Sequence, residues 1–110
     1  MTDTVTGEEL SKALGGEILC GNGDRTLNGC YIGDLLSLAM SNIEEDNVWI
    51  TVQTNINTVA VATLTDVGAI VMCDGYSPDR DTLEKAKAEE VLIITTEKSA
   101  YEAAIEVYKF

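Results

Sequence analysis

The stretch Val48-Trp49-Ile50-Thr51-Val52 is rich in β-forming residues and carries no charge, which is typical of a buried strand. Two later runs, Ala69–Cys73 and Val91–Thr95, are apolar in the same continuous way. Helical patterns separate the three runs along the chain. Continuous apolar strands that alternate with helices predict a mostly parallel sheet covered by helices on both faces, which is a three-layer α/β fold.

Capping signals mark two of the helices. Thr6 with Glu9 has the capping-box spacing, so a first helix is expected up to Leu14, before a Gly-Gly pair. Ser99 with Glu102 has the same spacing and predicts a final helix that runs to the C-terminus.

Two more helices are predicted between the apolar strands. Ser77-Pro78 suits a cap followed by a first helical residue, so a helix is expected from there to Glu90. The segment 56–67 is ambiguous, because its apolar residues fit both an alternating and a helical spacing. We expect a helix there, capped by Thr54 or Asn55.

The first third of the chain predicts shorter elements. A strand is expected over Glu17–Cys20, an extended piece over 25–32 and a helix over Gly33–Ile43. The helix over Gly33–Ile43 is apolar almost all round, and the C-terminal helix also has apolar residues on more than one face. One core of 110 residues covers only part of this surface. Exposed apolar patches usually mark contacts, so we expect a symmetric homodimer.

The charge of the chain excludes several partners. Nineteen acidic residues against seven basic ones give a formal net charge of −12. Nucleic acid and anionic membranes are therefore not expected as partners, since both are bound through cations. No apolar run approaches the roughly 18 residues of a membrane span, and the N-terminus has no signal-like block. We expect one domain over residues 1–110 and a cytoplasmic location.

The sequence also predicts that the chain is not an enzyme. It has no histidine, so it lacks the commonest general base and metal ligand, and no phosphate-loop or dinucleotide motif is present. No cofactor, structural metal or catalytic residue is expected. Cys20, Cys30 and Cys73 are odd in number without a CxxC spacing, so they are expected as free, small apolar residues.

A ligand is expected at the carboxyl ends of the strands, where open α/β sheets bind small molecules. Those ends are predicted at Cys20-Gly21-Asn22, Gln53-Thr54-Asn55, Asp74-Gly75-Tyr76 and Thr95-Thr96. Asparagine offers both donors and acceptors, glycine permits close approach of the backbone, and arginine meets a negative group. The expected contacts are Gly33, Asp34, Thr54, Asn55, Asn57, Asp74, Gly75 and Arg80.

Other interpretations of these residues stay open. The strand-end residues are also ordinary capping and turn residues. Arg80 has acidic neighbours with which it would form salt bridges, and Arg25 suits a surface role as well as a binding role. Three acids, Asp34, Asp74 and Asp79, would form a site for a hard cation if the fold brought them together.

The chain resembles the DRTGG domain family, which is related to the N-terminal domain of HPr kinase/phosphorylase. The resemblance covers about residues 15–110, and the order of its motifs is more specific than any one of them. It rests on Gly33-Asp34-Leu35-Leu36-Ser37, on Trp49-Ile50-Thr51 followed by Asn55 to Leu64, on Ala69 to Gly75, on Pro78 to Ala86, and on Val91 to Thr95 with Ser99-Ala100-Tyr101-Glu102.

The resemblance implies a three-layer α/β domain without catalytic residues. Such domains accompany phosphotransacetylases and pyrophosphatases with CBS domains, and in the latter they help to form a dimer that holds adenine nucleotides. Stand-alone copies occur with iron-only hydrogenases and signalling proteins. A regulatory module that senses an adenine nucleotide, at a dimer interface or at the strand-end edge, is therefore expected. The alternative is an interaction or assembly subunit of a hydrogenase or signalling system, with no small ligand.

Overall fold

The computed structural model describes all residues from Met1 to Phe110. Seven strands and five helices follow one another along the chain. The strands are β1 (Val5–Thr6), β2 (Glu17–Cys20), β3 (Thr26–Leu27), β4 (Cys30–Ile32), β5 (Val48–Thr51), β6 (Ala69–Met72) and β7 (Ile93–Thr95). The helices are α1 (Gly7–Ala13), α2 (Leu36–Asn42), α3 (Ile56–Thr65), α4 (Arg80–Ala88) and α5 (Ala100–Tyr108).

The main sheet has five strands in the order β2-β7-β6-β5-β4. Strands β4 to β7 are parallel, and β2 pairs antiparallel with β7. The predicted mostly parallel sheet is confirmed. A second, two-stranded sheet joins β1 and β3 in antiparallel register.

Helices cover both faces of the main sheet, which confirms the predicted three layers. Side chains on α1 and α5 share one core with Val48 and Ile50 of β5. Trp49 points to the opposite face, where side chains of α2, α3 and α4 form the second core. Alternate residues of one strand thus feed the two cores, because successive side chains in a strand point to opposite faces. No helix has the length and apolar character needed to cross a bilayer.

Side-chain caps determine where α1, α3 and α5 begin. Both predicted capping boxes are present, at Thr6 with Glu9 and at Ser99 with Glu102. The ambiguous segment is helical as expected. Its cap is Asn55, whose Oδ1 accepts from the backbone N–H groups of residues 57 and 58 at 2.9 and 3.3 Å.

Two helix starts were predicted wrongly. Helix α4 begins at Arg80 rather than at Pro78, because the Asp79 carboxylate accepts from the Thr82 N–H at 2.8 Å and serves as the cap. Helix α2 begins at Leu36 rather than at Gly33, because Leu35 keeps an extended backbone with no side-chain cap.

The segment 25–32 is not one extended piece. Gly29 has a φ of +79° and turns the chain between β3 and β4, which belong to different sheets. Strand β1 was not expected either, since it holds only Val5 and Thr6. So short a strand leaves no periodic pattern in the sequence.

Candidate functional site

The carboxyl ends of β4, β5, β6 and β7 lie along one edge of the sheet, because these strands are parallel. Most of the predicted ligand residues therefore lie at this edge. Cys20-Gly21-Asn22 does not lie there, since β2 runs antiparallel to β7 and its carboxyl end lies beside the amino-terminal ends of the parallel strands. Its assignment to the ligand edge was wrong.

Gly33 and Asp34 are bonded to the end of β5. Asp34 Oδ1 accepts from the Thr51 hydroxyl at 2.8 Å and from the Val52 N–H at 2.9 Å. The Gly33 carbonyl accepts from the Trp49 indole N–H at 2.9 Å. One oxygen of the Asp34 carboxylate is thus occupied by contacts that hold the β4–α2 connection in place.

The polar groups that follow β5 serve mainly to begin α3. Asn55 uses its side-chain oxygen as the helix cap, and its Nδ2 donates to Gln53 Oε1 at 3.1 Å. Asn57 is exposed in the first turn of α3, and Thr54 is half-buried before the cap. Their side chains form no hydrogen bond within the chain.

Asp74 and Gly75 join the loop after β6 to the loop after β7. Both have positive φ, +59° and +75°, and Asp74 N–H donates to the Lys98 carbonyl at 2.8 Å. Gly75 N–H donates to the Thr96 carbonyl at 3.0 Å. The positive φ of Gly75 favours glycine here, whereas the nearest neighbour of an added Cβ, Glu97 Oε2 at 2.6 Å, ends a flexible side chain that can move away.

A cleft of about 310 Å³ opens next to Gly75, between the start of β2 and the loops after β6 and β7. We call it the edge cleft. A Cβ on Gly16 would collide with the Thr95 carbonyl, so glycine lets β2 start close beside the end of β7. The cleft is lined by Gly15, Gly16, Glu17, Gly75, Tyr76, Ser77, Thr95, Thr96 and Glu97.

Only Gly75 of the predicted ligand residues lines the edge cleft. The sequence pattern marked the Gly15-Gly16 pair only as a helix end and Thr95-Thr96 only as a strand end. Their proximity depends on the antiparallel pairing of β2 with β7, which residue patterns do not specify. A glycine pair directly before a short strand is the signal that was available.

The edge cleft is acidic. Glu17 and Glu97 line it, and no lysine or arginine does. Arg80, the expected phosphate contact, is exposed in the first turn of α4, where its side chain forms no hydrogen bond or ion pair. The predicted pairing of Arg80 with neighbouring acids is not present. Its guanidinium is free to meet an anion at the rim of the sheet.

Arg25 has a structural role at the amino-terminal ends of the parallel strands. Its Nη2 atom lies 3.0 Å from Asp46 Oδ1, 3.2 Å from Asp66 Oδ1 and 3.1 Å from the Asp66 carbonyl. Both aspartates have positive φ, +68° and +52°. Arg25 thus holds together the loops that precede β5 and β6.

The three cysteines are free, and no three acidic or thiol side chains come together as a metal site. Cys20 and Cys73 are buried, as predicted, and burial raises the pKa of both thiols. Cys30 lies partly exposed in an apolar groove beside β4, where desolvation raises the pKa of its thiol to about 11. All three are therefore protonated at neutral pH.

Comparison with known families decides the relationship of the chain. The model of the DRTGG domain matches residues 9–110. The chain belongs to the DRTGG domain family. The match spans nearly the whole sequence, including the edge cleft and all five strands of the main sheet.

A solved structure shares the fold of this DRTGG domain. The crystal structure of the CBS and DRTGG domains of the regulatory region of a Clostridium perfringens pyrophosphatase, complexed with the activator diadenosine tetraphosphate, superposes with a TM-score of 0.76. The identity is 19%, and the match covers 89% of this chain but 44% of that one. This likeness confirms the fold. A comparison with curated proteins found no match.

Proposed function

We propose that this DRTGG domain is a non-catalytic regulatory module that binds an adenine nucleotide in the edge cleft and acts as a homodimer. The observation that carries the proposal is the position of the cleft. It lies beyond the carboxyl ends of β6 and β7, where ligands bind in open α/β sheets. The relative from Clostridium perfringens, with diadenosine tetraphosphate as its activator, supports the choice of nucleotide.

The lining of the cleft suits a nucleoside. Tyr76 presents an aromatic ring that is 56% exposed, and nucleobases stack on such rings. The Ser77 hydroxyl has no partner within the chain and is free to donate or accept. Two glycines, Gly16 and Gly75, let backbone groups approach a ligand without a side chain between them.

The acidic lining of the cleft favours a ligand with few phosphate groups. Glu17 and Glu97 repel a polyphosphate, and the net charge of −12 adds to this repulsion. Arg80, on the helix that follows the cleft loop, forms no ion pair and is our candidate contact for a single phosphate. We therefore expect AMP to bind more tightly than ATP, with micromolar or weaker affinity.

A second function is favoured by a different surface. From Asn47 to Thr65 the sequence contains no charged residue, and α3 presents Leu64, which is 72% exposed. An uncharged face on so acidic a chain suits a docked protein. Assembly with an iron-only hydrogenase or a signalling protein, without a small ligand, is thus the alternative. Three free thiols support a cytoplasmic location for either function.

Titration calorimetry with AMP, ADP, ATP and diadenosine tetraphosphate tests the proposal. We expect AMP to give the strongest binding and Tyr76→Ala to weaken it by about tenfold, the loss of one stacked base contact. Glu97→Gln should tighten ATP binding, while Glu84→Gln on α4, outside the cleft, should not. If none of the four ligands gives heat at millimolar concentration with folded protein, the nucleotide-binding proposal is wrong. The assembly function would then be the remaining candidate.

A further inference from the structure

The chain contains two asparagine–glycine pairs, Asn22-Gly23 and Asn28-Gly29. In such a pair the glycine nitrogen is able to attack the side-chain carbonyl of the asparagine, because glycine has no Cβ to hinder the approach. Both asparagines are exposed and both glycines are half-buried, so access of water does not distinguish the two pairs. The difference between them lies in their hydrogen bonds.

The backbone of Asn28-Gly29 is bonded on both sides of the peptide. The Asn28 carbonyl accepts from Asn47 Nδ2 at 3.0 Å, and the Gly29 carbonyl accepts from Val48 N–H at 2.9 Å. The Gly29 N–H donates to Met1 Sδ at 3.1 Å. The nitrogen that would attack is therefore engaged, and it belongs to a backbone that is anchored to the start of β5.

The nitrogen of Gly23 has no such partner. The Gly23 carbonyl accepts from Glu8 N–H at 2.9 Å, but the Gly23 N–H finds no acceptor in the chain. The side-chain amide of Asn22 is bonded through its oxygen alone, so its nitrogen is free to leave. Asn22 also lines an open cleft of about 500 Å³, through which water reaches the amide.

The amide oxygen of Asn22 is already polarised for attack. Its Oδ1 accepts from Asp24 N–H at 2.9 Å. When a nucleophile adds to Cγ, negative charge develops on this oxygen, and a donor that is held in place stabilises that charge. The turn after β2 thus supplies a free nucleophile, an unbonded leaving group and a donor for the developing oxyanion.

We propose that Asn22 is a site of spontaneous deamidation through a cyclic imide formed with Gly23. The Gly23 nitrogen gives its proton to hydroxide and bonds to Asn22 Cγ, and the Cγ–Nδ2 bond breaks with release of ammonia. Water then adds to one of the two imide carbonyls and breaks its bond to nitrogen, which leaves either aspartate or isoaspartate. The net reaction consumes one water and releases one ammonia, without an oxidant or a cofactor.

The two products differ in their effect on the fold. Both add a negative charge, but only isoaspartate lengthens the main chain, by one carbon. The Asn22 carbonyl accepts from Arg25 N–H at 3.1 Å across the turn, and in isoaspartate this carbonyl becomes a free carboxylate. The same turn is bonded to the start of α1 through Glu8 and Gly23. Isoaspartate should therefore lower the urea midpoint, whereas Asn22→Asp, which reproduces the other product, should keep it close to that of wild type.

Peptide mapping by mass spectrometry tests the site, because trypsin separates the two pairs. Asn22 is the only asparagine of the tryptic peptide 13–25, and Asn28 lies in the peptide 26–80. In native protein kept at pH 8, Asn22 should gain one dalton about tenfold faster than Asn28, or more. A factor of ten is about 1.4 kcal/mol of barrier, comparable to the one hydrogen bond that the second pair would have to give up. In urea, where these bonds are absent, both pairs should react at similar rates.

Gly23→Ala is the matched variant, because it places a Cβ beside the attacking nitrogen at a position without a positive φ. It should slow the reaction of Asn22 by about tenfold or more, and circular dichroism confirms that it is folded. Methylation of peptide 13–25 by an isoaspartyl methyltransferase identifies the isoaspartate product. An unchanged peptide 13–25 in native protein would overturn the proposal. Equal native rates at Asn22 and Asn28, or a folded Gly23→Ala variant that reacts as fast as wild type, would overturn it as well.

Discussion

The hydroxyl of Thr51 donates to Asp34 Oδ1 over 2.8 Å, and the Val52 N–H donates to the same oxygen at 2.9 Å. Thr51 is almost fully buried, and Asp34 Oδ1 is the acceptor that its hydroxyl finds within the chain. A single carboxylate oxygen thus fixes the connection between β4 and α2 to the end of β5. The residue expected as a ligand contact is first of all a structural one.

Replacing Asp34 by alanine should lower the free energy of unfolding by about 1–3 kcal/mol, because a buried hydroxyl loses its acceptor. Asp34→Asn keeps a carbonyl oxygen in the same place and should restore most of the loss. Urea unfolding followed by tryptophan fluorescence measures both. As a control, Asp24→Ala removes an exposed carboxylate without hydrogen bonds. Equal stability of the alanine variant and the wild type would show that the bond contributes nothing.

Much of the fold could be predicted from the sequence, because its strongest signals are local. The apolar strands β5 and β6 and the boxes at Thr6 and Ser99 have sequence patterns that lead to one structure. The pairing of β2 with β7 could not be predicted, since strand direction depends on contacts between residues far apart. The start of α4 was predicted wrongly, because two residues within three positions, Ser77 and Asp79, are both good caps.

Arg25→Ala should lower the free energy of unfolding by about 1–2 kcal/mol, because three charge-assisted hydrogen bonds are lost and two left-handed aspartates are released. Arg80→Ala is the matched control and should stay within about 0.5 kcal/mol of wild type, since Arg80 has no partner. High salt should narrow the difference between the two variants. Equal stability of the two would contradict the structural role of Arg25.

The site was less predictable than the fold. Residue chemistry located the correct edge of the sheet, but Asp34 and Asn55 are occupied there by bonds within the chain. A sequence shows which residues are able to bind a ligand, not which of their atoms stay free. Tyr76 and Glu97 line the cleft because the loops after β6 and β7 are bonded to each other, which is a tertiary fact.

Cys30 should react slowly with iodoacetamide at pH 8, although part of the residue is exposed. With a pKa raised by desolvation to about 11, only ~0.1% of the thiol is ionised at that pH. The labelling rate should rise toward pH 11, whereas the rate for a thiol with an ordinary pKa levels off above about pH 10. In denatured protein without reductant, all three thiols should be counted. Rapid labelling of the native protein at pH 8 would contradict the apolar environment of Cys30.

Acid should destabilise the start of α5 through Glu102. Its carboxylate accepts from the Ser99 N–H, and this bond lowers the pKa of Glu102 below its ordinary value of 4.5. The stabilisation is therefore present above about pH 4.5 and is lost as the pH falls through the lowered pKa. Glu102→Gln should make the urea midpoint fall less between pH 5 and pH 2 than it does in wild type. Glu84 accepts no hydrogen bond, so the urea midpoint of Glu84→Gln should fall by as much as that of wild type. An identical fall of the midpoint in all three proteins would contradict the contribution of Glu102.

The central claim, a nucleotide in the edge cleft, is tested most directly by amide chemical shifts of labelled protein titrated with AMP. We predict saturable shifts at Gly16, Gly75, Tyr76 and Ser77, with little change at Cys30 and Ile32 on the opposite edge of the sheet. Spectra that do not change at millimolar AMP, or shifts confined to β4, would contradict this claim.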